Sequence, residues 1–337
     1  MIEEFQHLSV RIPAATVRVA TLGLFLFIVG VVPAANQESA LPTANQTLRV
    51  STEVVNVYAI VRDKKRPVMD LKRDDFELTE DDVIQQIRYF SRETDTPLTL
   101  GILIDTSPSQ ERVLGVEQEE AKRFLGQVLR PRDLAFVLHF DLEVELLRDF
   151  TSNVSLLARA IDETVIRSAP SGPLPSPLPT SRVGGTHLYD AVYLAARELM
   201  KNEVGRKVLI VLSDGEDQGS TVKLTAALEA AHKADVIIYC IAVIDRAFYW
   251  GRVMDFSGDS VLSKLSGETG GRVIEVKRAR DTGAAFQEVA DELRTQYLLG
   301  YTSANTRRDG SFRKIRVKVR DRDYKIQARR GYYAPTD

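Results

Sequence analysis

Asp105, Ser107 and Ser109 occupy every second position of DTSPS, directly after the apolar run LTLGILI of 98–104. Downstream, Thr186 follows two glycines in GGTHLYDA, and Asp214 follows KVLIVLS in LSDGEDQGS. Two carboxylates and three hydroxyls make a donor set of oxygen alone, with neither histidine nor cysteine. Oxygen donors suit a hard cation, and so few carboxylates suit Mg²⁺ or Mn²⁺, which keep waters and open positions, better than a caged Ca²⁺. The competing reading is structural: Asp and Ser often cap the helix that follows a strand.

These residues can cooperate only if the fold brings them to one edge. Apolar runs at 98–104, 134–140, 143–149, 207–213, 236–244 and 272–276 read as strands. They alternate with helical periodicity at 112–129, 154–165, 187–201, 222–233, 259–267 and 283–296. Several runs are apolar on both faces, as a parallel sheet between helix layers requires. The exception is 134–149, where Asp141-Leu142 marks a hairpin. The expected core is a doubly wound, mostly parallel α/β sheet. In such sheets ligands bind beyond the carboxyl ends of the strands, which is where Asp105, its two serines and Asp214 fall, with Thr186 at a helix start.

The three pieces DTSPS, GGTHLYDA and LSDGEDQGS resemble, in order and spacing, the metal-ion-dependent adhesion site (MIDAS) of von Willebrand factor A-type domains, written D-x-S-x-S, then T, then D. The resemblance covers about residues 96–300 and matches all five ligand positions. It implies that the serines touch the metal while Thr186 and the aspartates bind it directly or through water. It also implies that the weakly charged shell leaves the ion electrophilic enough to accept a carboxylate from a protein or peptide partner.

Around this core, 48–92 and 296–334 read as short half-buried strands and hairpins. The first shows alternation at Val54, Val57 and Ala59, and Ile315, Val317 and Val319 alternate with Lys314, Arg316, Lys318 and Arg320 in the second. Neither half builds a core alone, so the two are expected to pair into one β-sandwich-like domain with the α/β domain inserted between them. The segments VYAIVRDKKRPVMDLKRDDFELTEDD and QYLLGYT to ARRGYYAP resemble the flanking motifs of the acidobacterial-type "VWFA-related" exported proteins. Asp82 stands where that pattern turns on glycine.

The expected organisation is a signal peptide or signal anchor at 1–35, β-rich segments at 36–95 and 297–337, and the A domain at 96–296. Arg11 and Arg18 precede ATLGLFLFIVGVV, a run of about signal-peptide length, and small residues follow near Ala34. An uncleaved anchor in the inner membrane is the alternative. Either way the protein is expected outside the cytoplasm: periplasmic, secreted or at the cell surface. Cys240 is the only cysteine among 337 residues, so no internal disulfide forms; its place in VIIYCIAVI reads as buried strand. A formal charge of −2 offers no global attraction to nucleic acid or membrane, and the basic face of 314–322 lacks interleaved aromatics. It reads as a solvated edge.

Several residues near the site have plainer readings. His187 reads as a solvated first-turn residue, Glu216 and Asp217 as acidic residues favouring the start of the next helix, and Asp141 as a hairpin residue near the rim. The proline-rich 168–185 reads as an extended surface loop beside Thr186. No nucleophile elbow, phosphate loop or HExxH zinc motif is present, so the chain is read as a non-enzyme: an exported, cation-dependent protein-binding module. The alternatives are a metal-free scaffold and, less favoured, a Mg²⁺-assisted hydrolase with Glu216 as its base.

Overall fold

The structure, a computed structural model, describes residues 54–64, 66–92, 96–166, 185–243 and 258–336. The apolar run 20–32 and almost all of the proline-rich segment lie outside the described residues. Among those described, no helix is long and apolar enough to cross a membrane.

In chain order the strands are β1 (Val55–Asp63), β2 (Arg66–Pro67), β3 (Phe76–Glu80), β4 (Val83–Gln85), β5 (Ile87–Arg92), β6 (Leu98–Asp105), β7 (Leu134–Phe140), β8 (Val144–Thr151), β9 (Arg206–Leu212), β10 (Val236–Val243), β11 (Val273–Val276), β12 (Tyr297–Tyr301), β13 (Phe312–Val319), β14 (Lys325–Ala328) and β15 (Gly331–Tyr333). The α-helices are α1 (Leu114–Val128), α2 (Val154–Asp162), α3 (Leu188–Leu194), α4 (Leu224–Lys233), α5 (Gly258–Thr269) and α6 (Thr282–Arg294). A π-helical turn, Ala195–Met200, extends α3.

The central sheet runs β11-β10-β9-β6-β7-β8, parallel except for the β7–β8 hairpin. Every residue of β6 and β10 is buried, which explains their unbroken apolar runs. Leu100, Ile102 and Ile104 pack on one side with Phe124 and Leu125 of α1, Leu157 of α2 and Val289 of α6. Leu103, Phe136 and Leu138 pack on the other with Val192 of α3, Ala231 of α4 and Leu265 of α5. The layers meet tightly at Gly101, where an added Cβ would lie 2.4 Å from Phe136 Cζ and 2.5 Å from Leu209 Cδ2.

Strands from the two ends of the chain form two antiparallel sheets, β14-β1-β12-β5 with β2 on β1, and β15-β13-β3-β4. They share one core, in which Val57, Ala59, Phe76, Leu78, Tyr297, Leu299 and Ile315 are buried. The inward face of β1 is Val55, Val57, Ala59 and Val61, whereas Val54 is exposed, so the alternation starts one residue later than expected. Lys314, Arg316 and Lys318 of β13 point outward as expected. Arg313 shares the inner face with Ile315, only 2% exposed, and faces Glu80, also 2%. Glu80 accepts hydrogen bonds from Tyr301 Oη (2.7 Å), Tyr332 Oη (2.9 Å) and Ser303 Oγ (2.6 Å). The Asp81-Asp82 turn stays tight without glycine: Glu80 pairs with Val83, and both aspartates take the left-handed region at φ 46° and 65°, which Asp tolerates better than most residues.

The two units are clasped where the α/β domain is entered and left. Arg206 at the start of β9 donates its backbone N–H to Pro97 O (2.9 Å) and Nη1 to Gln296 Oε1 (3.0 Å). Elsewhere His232 of α4 packs edge-on against Phe312 and Tyr333.

Candidate metal centre

From β6 the chain moves outward to β7 on one side, and β9 lies on β6's other side, so the winding reverses between β6 and β9. That reversal opens a crevice at the strand ends. Asp105 ends β6, and Ser213-Asp214 follow β9; all three are buried.

The loop after Asp105 is organised by its own oxygens. Asp105 Oδ1 accepts the backbone N–H of Ser107 at 2.9 Å, and the hydroxyls of Ser107 and Ser109 lie 3.0 Å apart. Neither serine caps a helix. Ser107 precedes the 3-10 turn Pro108–Gln110 without a side-chain cap bond, and the residue before α1 is Val113. The helix-cap explanation of DTSPS therefore does not describe this loop.

Thr186 reaches the same edge through backbone braces. It exchanges two hydrogen bonds with Gln218 (3.0 and 2.9 Å), tying its loop to the Asp214 loop. Next to it, His187 donates its N–H to Asp141 O at 2.8 Å. Asp141 in turn holds Glu143 N (3.0 Å) and Thr106 Oγ1 (3.4 Å) through its carboxylate. Asp141 is thus a brace between the hairpin and the loop after Asp105. Gly185 fits because a Cβ there would meet Gln218 O at 2.7 Å and Leu142 Cδ2 at 2.6 Å.

Acidic residues beside the site serve helix starts, with assignments the sequence did not reveal. Asp217 Oδ1 accepts from Tyr189 N (3.0 Å) and Ser220 Oγ (2.6 Å), so it secures α3 rather than the helix that follows it. Asp190 of α3 reciprocates, accepting from Thr221 and Val222 N–H, both at 2.9 Å. Glu216 Oε1 accepts from Gly258 N at the start of α5, 3.2 Å away. His187 is half-buried rather than solvated, its Nδ1 3.9 Å from Asp190 Oδ2. Gly215, at φ +87°, makes the turn after Asp214 where a Cβ would sit 2.6 Å from Gly258 O.

The electrostatics are those of anions crowded out of water. Burial, and then the charge of Asp214, push Asp105 up to about 7, although hydrogen bonds from Ser107 and Ser213 oppose the rise.

Residues 176–292 match the von Willebrand factor type A domain family. That segment is similar to a von Willebrand factor type A (VWA) domain. The matched span includes Thr186 and Asp214 and begins downstream of Asp105. No curated protein matches the chain. Among solved structures, the chain is similar to proximal thread matrix protein 1 from the mussel byssus, at 15% identity and TM-score 0.48, over 64% of this chain and 51% of that one. It thus spans about half of that protein's length. One structure of that mussel protein is described as having a zinc-occupied MIDAS motif. BatB from Bacteroides thetaiotaomicron is similar at 16% identity and TM-score 0.43, covering 58% of this chain and 97% of that chain. A von Willebrand factor type A protein from Catenulispora acidiphila is similar at 10% identity and TM-score 0.47, covering 82% and 76% respectively.

Around the candidate site the structure adds residues that motif reading missed. Ser213 Oγ donates to Asp105 Oδ2 at 2.6 Å and accepts Gly215 N–H at 3.0 Å. Its signal was its place beside Asp214 at a strand end. Glu117 lies in the first turn of α1, fully buried, and neither carboxylate oxygen has a hydrogen-bond partner. Its signal was phase: Leu114, Glu117, Ala121, Phe124 and Val128 make up the buried stripe of the helix. The donor set fits a hard divalent ion. Asp105, Ser107, Ser109, Thr186 and Asp214 would hold it, and a cation would relieve the repulsion between the two buried aspartates.

Proposed function

We propose that the protein is a divalent-cation-dependent binding module whose VWA domain holds Mg²⁺ or Mn²⁺ through Asp105, Ser107, Ser109, Thr186 and Asp214. The ion presents an open position to a carboxylate of a protein or peptide partner. The observation that carries this reading is the convergence of the buried Asp105 and Asp214, with paired serine hydroxyls, at the switch point of the sheet. Buried like charges are costly unless a counter-charge joins them. VWA domains are usually non-catalytic binding modules, and Glu216, the one tempting base, is engaged by the N–H of Gly258. A bound ion would supply Lewis acidity toward the incoming carboxylate; the chain's own residues hold the loops around it.

The flanking sandwich supports assignment to the exported "VWFA-related" group, with adhesion at the cell surface or in the periplasm as the setting. Calorimetric titration of Mg²⁺ and Mn²⁺ into the protein and into Asp105→Ala, its fold checked by circular dichroism, tests the reading. Saturable one-site binding lost in the folded variant supports it and justifies capture of carboxylate-bearing partners. Absence of binding in both forms sinks it and leaves a metal-free scaffold.

A further inference from the structure

Glu117 is a carboxylate that the fold does not account for. It is buried with both oxygens orphaned, whereas buried polar groups are nearly always hydrogen-bonded. Backbone bonds from Glu117 N to Val113 O (3.1 Å) and from Val113 N to Gln110 O (3.0 Å) stack Gln110, Val113 and Glu117 along the first turns. Gln110 is also fully buried; its Nε2 donates to Ser109 Oγ at 3.4 Å, while its Oε1 is orphaned. All three orphaned atoms are acceptors, so what they lack is positive charge or a donor.

The charges that act on Glu117 are Asp105 and Asp214, both negative. Three buried carboxylates, at the end of β6, just after β9 and in the first turn of α1, therefore act on one another through their charge. An isolated buried carboxylate is stabilised by a proton or by a counter-ion. Two further carboxylates and an orphaned amide oxygen beside a pair of hydroxyls form a surrounding that a hydrated cation satisfies all at once, through its charge and its water O–H donors.

We propose that Glu117 is a third anion of the cation site, a positioning residue that acts on the bound divalent ion through its charge and through the ion's coordinated water. The proposal rests on the metal reading above. It makes the site more anionic than its five oxygen ligands alone indicate, and so biased toward divalent over monovalent cations.

The test is calorimetric titration of Mn²⁺ and Mg²⁺, paired with thermal melts in EDTA, on the wild-type chain, Glu117→Gln, Glu117→Asp and Asp105→Ala. Glu117→Gln is expected to weaken Mn²⁺ binding about ten-fold or more, in the range seen when groups supporting a metal's ligands are lost. It should nevertheless melt higher than wild type in EDTA, because the amide keeps the shape and removes one of three mutually repelling charges. Glu117→Asp, which keeps the charge, should retain most of the affinity. Wild-type affinity in Glu117→Gln, with binding lost in Asp105→Ala, would overturn the role of Glu117 and leave the metal site standing. Weaker binding together with a lower melt in EDTA would mean a packing role only and would equally overturn it. No binding by wild type would remove both readings.

Discussion

Replacing Ser213 by alanine removes one oxygen atom and, with it, the donor to Asp105 Oδ2 at 2.6 Å and the acceptor for Gly215 N–H at 3.0 Å. Asp105 and Ser213 are both 0% exposed, so water does not replace the lost hydroxyl. A hydrogen bond to a charged group contributes about 1.5–3 kcal/mol, and leaving the glycine N–H unpaired adds about 1 kcal/mol. The sum is about 2.5–4 kcal/mol of destabilisation in the cation-free protein, read by urea unfolding in EDTA at pH 8. The charge is responsible for much of this. Charge-assisted bonds are about twice as strong as neutral ones, so in an Asp105→Asn background the same substitution should cost roughly half as much. A cost below about 0.5 kcal/mol, or equal costs in the two backgrounds, would refute the assignment of Ser213 as the hydroxyl that stabilises the Asp105 carboxylate.

His232 is held down to about 4, first by burial and then by the charge of Arg329, with Asp235 and a Gly331 backbone bond opposing. Since the folded value lies below the ordinary 6.5, stability is fully present above pH 6.5 and is lost as pH falls toward 4. At about 1.4 kcal/mol per pH unit the loss approaches 3 kcal/mol, and His232→Gln should flatten that part of the pH–stability curve. Arg313→Met strips the counter-charge from buried Glu80 and should cost about 3–5 kcal/mol in denaturant unfolding, with Glu80→Leu in the same chain recovering a good part. Gly101→Val drives methyl groups into Phe136 and Leu209 and should lower stability by about 1–3 kcal/mol or more, read from the melt. Asp217→Ala removes the cap of α3 and should cost about 1 kcal/mol, while weakening Mn²⁺ binding because Thr186 sits just ahead of that helix.

The parts of the fold legible in the sequence were those fixed by burial along one element. LTLGILI and VIIYCIAV are buried on both faces, and each motif stands directly at the end of such a run or at a helix start. What escaped depended on which loops meet in space. Nothing local to Asp217 says that it binds Tyr189 N rather than its own next helix. Nothing local to Asp190 says that it holds 221 and 222. Glu117 and Arg313 form a second class: both occupy inward phases of otherwise apolar stripes, and a charged residue at such a phase invites the assumption that the stripe is interrupted. In both cases it continues, and the charge is buried.

Because β1 pairs with β12 and β14, the first strand of the described chain has only the two-residue β2 at its far end as a partner until the last strands have been made. During synthesis, Val55, Val57 and Ala59 would wait as an unpaired apolar edge, the kind of surface on which nascent chains associate wrongly. The α/β unit draws its sheet partners from within itself and can fold in the interval. Once folded, its Arg206 clasp holds Pro97 and Gln296 together, which places Tyr297 beside the waiting strand. The inserted domain thereby acts as the closure of a very long loop, replacing a diffusive search by a short step. A chain ended after α6 would keep the candidate site and leave its first strands exposed.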